Sequence, residues 1–152
     1  MINQEEIAAI IDDYNRLKLR IGMTASHSAL DICDGAIEEG FPTVAYCQKG
    51  REKTYSEYFR SQRTTSGRIR RGMVDKAIVC DHFSDIIRPE LQDEMRKRNV
   101  IFIPNRSFTS YCGIDEIERD FKVPIFVSRN MLRLEARSEA QDYYCLLDTA
   151  GL

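Results

Sequence analysis

Ser26, His27 and Ser28 stand together after a short apolar run, Leu19 to Ala25, and just before a helical pattern that begins at Ala29. A helix N-terminus presents unpaired backbone N–H groups and the positive end of the helix dipole, so hydroxyls and an imidazole at that point suit an anion such as phosphate. Lys49, Arg51, Arg106 and Arg129 can add positive charge, Arg in a bidentate grip. An imidazole can also donate to a ligand or serve as acid or base. Taken singly, each of these residues is explained as readily by a helix cap or a solvated cation. Taken as a set they are not, because the segment after each predicted strand is polar: Gln48 to Glu52, Asp81 to Ser84, Pro104 to Ser110 and Ser128 to Asn130. The chemistry they share is a pocket for a phosphorylated small molecule.

The elements that must position these residues alternate. Ile7, Ile10, Ile11, Tyr14 and Leu17 predict an amphipathic helix over residues 3–18. Leu19 to Ala25 predicts a strand, residues 28–39 a helix capped by Ser26 or Ser28 and closed by Gly40, and Thr43 to Cys47 a second strand, a complete βαβ unit. A short helix over 50–59 and a strand over Ala77 to Cys80 follow, separated by the polar stretch 60–72, whose arginines and glycines predict a surface loop or hairpin. Residues 83–98 predict one helix with Ser84 as its cap. Val100 to Ile103 predicts a fourth strand, residues 114–121 a short acidic helix, Ile125 to Val127 a short fifth strand, and residues 128–137 and 138–150 two more helices. Such alternation predicts an α/β fold: a Rossmann-like, doubly wound, mostly parallel sheet of about five strands with helices on both faces. Ligands in that fold sit outside the carboxyl ends of the strands, where the strand order switches.

Composition narrows the classes. The 152 residues suit one domain, and 22 Lys+Arg against 24 Asp+Glu give a net charge of -2, with pI near 5.8, which argues against a dedicated nucleic-acid or polybasic membrane binder. Apolar runs are too short for a membrane span, and no secretory signal opens the chain. The five cysteines, Cys33, Cys47, Cys80, Cys112 and Cys145, form no short-spaced pair, so they predict reduced thiols of a cytoplasmic protein rather than a zinc site or disulfide framework. The segment Gly22 to His27 lacks a dinucleotide glycine fingerprint, and neither a Walker A sequence nor a G-x-S-x-G elbow occurs. His82 and the carboxylates Asp115, Glu116, Glu118 and Asp120 read as structural or solvated.

Six motifs occur in one order: Ser26-His-Ser-Ala-Leu30, Glu38-Glu-Gly-Phe41, Lys49-Gly-Arg-Glu-Lys-Thr-Tyr55, Phe83-Ser-Asp-Ile-Ile87, Ile103-Pro-x-x-Ser-Phe108 and Val123-Pro-Ile-Phe126. From about Arg20 to Leu152 the chain resembles the N-terminal, pre-ATP-grasp domain of the archaeal PurP family, the 5-formaminoimidazole-4-carboxamide ribonucleotide (FAICAR) synthetases. The resemblance implies ATP-dependent joining of formate to the 5-amino group of AICAR in purine biosynthesis, through formyl phosphate. It implies that His27 and Ser107 contact the ribonucleotide. Asn105 stands where the family has a His, and Val127-Ser-Arg129 where it often has G-N-R.

The resemblance further implies an ATP-grasp module that brings ATP and magnesium, in cis or in trans; no such module is recognised in residues 1–152, so this single domain is expected to bind AICAR or FAICAR without catalysing. A homo-oligomer is expected. Two other readings stand beside it, a non-catalytic ribonucleotide-binding regulatory module and an oligomerisation domain with a decayed pocket.

Overall fold

The computed structural model describes residues 2–135 and 143–151. Its centre is a four-stranded, all-parallel sheet of β1 (Arg20–Thr24), β2 (Thr43–Gln48), β5 (Lys76–Cys80) and β6 (Val100–Phe102), in the order β5-β2-β1-β6. The remaining strands, β3 (Gln62–Arg63) and β4 (Ile69–Arg71), form an antiparallel hairpin. The helices are α1 (Gln4–Asp12), α2 (Ala29–Glu38), α3 (Pro89–Lys97), α4 (Arg106–Cys112), α5 (Ile114–Asp120), α6 (Arg129–Glu135) and α7 (Tyr143–Ala150).

Alternation along the strands divides the core in two. Ile21, Met23, Ala45 and Cys47 face α2, which buries Ala29, Cys33 and Ala36 against them. Val44, Tyr46, Val100 and Phe102 face the opposite way and meet Met95 of α3, Phe108 and Cys112 of α4 and Ile117 of α5. Rings of Phe102, Phe108 and Phe121 pack 4.6–5.3 Å apart at the centre of this second layer. Gly22 makes the approach possible: a Cβ there would lie 2.5 Å from Val100 Cγ1 and 3.3 Å from the Tyr46 ring.

Several elements differ from the sequence expectation, each for a local reason. The first helix stops at Asp12. Asn15 accepts from the Leu17 N–H to start a 3-10 turn, Arg16–Lys18, and Leu17 is 97% exposed, while Tyr14 turns inward to donate to the Val100 carbonyl at 3.0 Å. Residues 50–59 hold a single π turn, Thr54–Tyr58. The predicted helix over 83–98 is two pieces, a 3-10 turn Phe83–Ile87 and α3, because Arg88 precedes Pro89 and takes an extended backbone. The 3-10 turn is capped by His82 with Asp85, not by Ser84. The predicted fifth strand reduces to one bridge, Ile125 to Phe102. Its partner β6 ends at Phe102, and residues 126–127 form a bend. Helix α4 was not anticipated at all. The predicted helix over 138–150 is described only as α7; residues 136–142 lie outside the described residues.

The basic stretch 60–72 carries the hairpin. Arg63 and Ser61 donate to Asp75 Oδ1, and the backbone N–H of Thr43 donates to its Oδ2 at 3.0 Å. Thr43 begins β2 and Asp75 directly precedes β5, so the hairpin is clipped at the amino ends of the strands, away from their carboxyl rim.

Candidate functional site

The strand order reverses between β1 and β6: from β1 the chain steps outward to β2 and β5, then returns to the other side of β1. That gap is the switch point where open parallel sheets take ligands. Ser26-His27-Ser28 leaves the carboxyl end of β1 on one side of it, and Asn105, Arg106 and Ser107 leave β6 on the other.

Asn105 ties the two sides together. It is the N-cap of α4, its Oδ1 accepting the Phe108 N–H at 3.2 Å, and its Nδ2 donates to the carbonyls of Thr24 (2.9 Å) and Ser26 (3.0 Å). With one acceptor and two donors engaged at 8% exposure, this side chain is a brace. Asn105 therefore holds the rim together.

The turn it holds is unusual. His27 is exposed and has φ 46°, the left-handed region that a side chain rarely adopts and that gathers at functional sites. Ser26 N–H donates to the Thr24 carbonyl at 2.8 Å, and the Ser26 carbonyl also accepts from Ala29 N–H at 3.1 Å. Ser28 occupies the N-cap position of the ten-residue α2, yet its hydroxyl makes no capping bond. Ala29 N–H is taken by the Ser26 carbonyl and Ile32 N–H by the Ser28 carbonyl, so the first-turn N–H groups left without a capping side chain are those of Leu30 and Asp31.

Two hydroxyls under this rim are also unpartnered. Thr24 Oγ1 and Ser107 Oγ are buried, in residues 0% and 1% exposed, and neither has a hydrogen-bond partner among the described residues. A buried hydroxyl left unpaired marks a place for a water or a ligand group. Thr24 escaped the sequence reading because it sits inside an apolar strand.

Lys49 and Arg51 follow β2, the neighbour of β1, in a tight turn with Gly50 at φ 87°; both are exposed. Glu52 lies beside them and was not singled out from the sequence, although its Oε2 is buried without a partner among the described residues. Arg106 is exposed on the first turn of α4. Ser26, His27, Ser28, Lys49, Arg51, Arg106 and Ser107 thus belong to the carboxyl ends of three adjacent strands. Arg129 does not join them in the same way: its Nη2 is turned back to the Phe121 and Val123 carbonyls, and burial lowers its pKa. Among the described residues no group of three or more His, Cys, Asp or Glu is placed to hold a metal ion. No described helix is long and apolar enough to cross a membrane.

A family model described as a protein of unknown function, DUF1246, matches residues 21–152. The chain belongs to the DUF1246 family. This DUF1246 domain is 36% identical over 151 residues to the 5-formaminoimidazole-4-carboxamide-1-(beta)-D-ribofuranosyl 5'-monophosphate synthetase of Methanothermobacter thermautotrophicus, a match covering 99% of this chain and 38% of that protein. It is 38% identical over 152 residues to the synthetase of the same name from Methanocaldococcus jannaschii, again covering 38% of the relative. The crystal structure of an IMP biosynthesis protein PurP from Thermococcus kodakaraensis superposes with a TM-score of 0.61 at 30% identity, over 87% of this chain and 36% of that one. The DUF1246 chain is therefore a PurP-like domain spanning about 38% of the length of the curated relatives it matches.

Proposed function

We propose that this domain is the ribonucleotide-binding part of an ATP-dependent FAICAR synthetase and that it takes AICAR at the β1/β6 switch point. The observation that carries the reading is the braced, left-handed turn at His27, set beside the uncapped N-terminus of α2 and above the unpartnered hydroxyl of Ser107. In this reading the 5'-phosphate lies against the first-turn N–H groups of α2 and the hydroxyls of Ser26 and Ser28. Lys49, Arg51 and Arg106 supply countercharge from the flanking strand ends. His27 and Ser107 hydrogen-bond the ribonucleotide and fix its orientation. Arg129, engaged on two carbonyls, steadies the segment beside β6.

ATP and magnesium would supply the activation of formate, a task we assign to an ATP-grasp module outside these 152 residues, in cis or in trans. The domain's own work is to bind and orient AICAR so that its 5-amino group meets the activated formyl group. A single domain, a cytoplasmic location and assembly into a homo-oligomer belong to the same proposal. Calorimetric titration with AICAR tests it. Wild-type protein binds and His27→Ala weakens binding about tenfold or more, the worth of a charge-assisted hydrogen bond; absence of binding at millimolar AICAR contradicts it.

A further inference from the structure

We infer that Glu52 is the ribose-recognising acid of this site, its carboxylate accepting hydrogen bonds from the vicinal 2'- and 3'-hydroxyls of a ribonucleoside 5'-monophosphate. The inference rests on the ribonucleotide reading above and goes beyond it by assigning the sugar.

Three features meet at this residue. Glu52 follows β2, the strand beside β1, and its Oε2 is buried with no hydrogen-bond partner among the described residues. A carboxylate oxygen withdrawn from water without a donor is costly, and a ligand hydroxyl would relieve that cost. Its backbone is tightly held, since one carbonyl accepts from Tyr55 N–H (2.9 Å), Ser56 N–H (2.8 Å) and Ser56 Oγ (2.9 Å). Those bonds lead into the π turn Thr54–Tyr58, a backbone form that recurs at functional sites. The carboxylate is also within electrostatic reach of Cys47, whose thiol is pushed up to about 12 by burial first and then by its neighbours Cys80 and Glu52. Cys47 belongs to the core layer that α2 covers, the side on which the uncapped helix N-terminus lies.

The placement matches a general logic of parallel α/β nucleotide sites. Phosphate sits at the helix N-terminus after the first strand, and an acidic residue after the second strand takes a ribose hydroxyl. Here the helix is α2 and the acid is Glu52. No glycine fingerprint marks the first turn, so the acid stands out only once its burial is seen.

The test is calorimetric titration of the 152-residue chain with AICAR and with its 2'-deoxyribose counterpart, for wild type and Glu52→Gln. A hydrogen bond to a charged group is worth roughly a factor of 10 to 100, so the wild type should prefer the ribonucleotide by at least about tenfold. Glu52→Gln should bind the two within about twofold of each other. If Glu52→Gln is too unstable to titrate, Glu52→Asp carries the same test, a reduced preference supporting the inference and an unchanged one overturning it. AICAR binding with the same ribose preference in wild type and Glu52→Gln overturns this inference alone. No binding of AICAR by the wild type overturns the ribonucleotide reading and this inference with it.

Discussion

The side-chain amide of Asn105 donates to the backbone carbonyl of Ser26 at 3.0 Å, joining residues 79 apart in sequence across the point where the strand order switches. A second bond, to the Thr24 carbonyl, and the cap on α4 make one buried side chain responsible for the relation between the His27 turn and Ser107.

Asn105→Ala removes all three bonds and leaves two carbonyls without this donor, so a loss of about 2–3 kcal/mol is expected from the cap and the lost hydrogen bonds together. Asn105→Ser keeps a good N-cap and loses only the brace. Chemical denaturation should rank wild type above Asn105→Ser and Asn105→Ala lowest, whereas AICAR affinity should fall in both variants.

Gly22→Ala tests the close packing of the sheet. Its Cβ would meet Val100 Cγ1 at 2.5 Å in a layer already filled by aromatic rings, and overpacking of that kind costs about 1–3 kcal/mol. A denaturation midpoint equal to wild type would show that Val100 and Tyr46 can move aside freely.

Asp75 sets an acid limit on the hairpin. Burial alone would raise its pKa, but hydrogen bonds from Ser61, the Thr43 backbone and Arg63, with the Arg63 charge, outweigh that and hold it below the usual carboxylate range. A folded-state pKa below the unfolded value of about 3.9 contributes stability that is present above that value and is lost as pH falls through the folded pKa. Wild-type stability should therefore drop more steeply below about pH 4 than that of Asp75→Asn, measured as urea midpoint against pH.

Four thiols, Cys33, Cys47, Cys80 and Cys112, are buried, and desolvation pushes them up to about 12, 12, 11 and 12. The native protein at pH 8 should react with a thiol reagent through the exposed Cys145 alone on the fast timescale, and through all five cysteines after denaturation.

The parts of the fold written in hydrophobic period were legible in the sequence: β1, α2 and β2 follow the βαβ pattern, and Gly40, at φ 81°, closes α2 as its position predicts. What escaped is held by polar side chains acting over long sequence distances. Helix α4 shows its core only Ser107, Phe108 and Cys112, too short a stripe to register as a period. Its real signals were Asn105 as cap and Gly113, at φ 77°, as stop. The strand at Ile125 looked complete because its residue types suit a strand, and it stops after one bridge because its partner β6 ends at Phe102. The rim was located from the strand ends, but Thr24 and Glu52 were hidden, one in an apolar run and the other in a charged one. Their meaning lies in burial without a partner, which no spacing of residues reveals.

The central claim is that a ribonucleotide sits at the β1/β6 switch point, and backbone amide NMR of the 152-residue chain titrated with AICAR tests it most directly. The account predicts saturable shifts largest at Ser26 to Leu30, Lys49 to Glu52 and Arg106 to Phe108, absent or much weaker in His27→Ala. Shifts confined to the cleft between α3 and α5, around Gln92 and Arg119, or no shifts at millimolar AICAR, would contradict it.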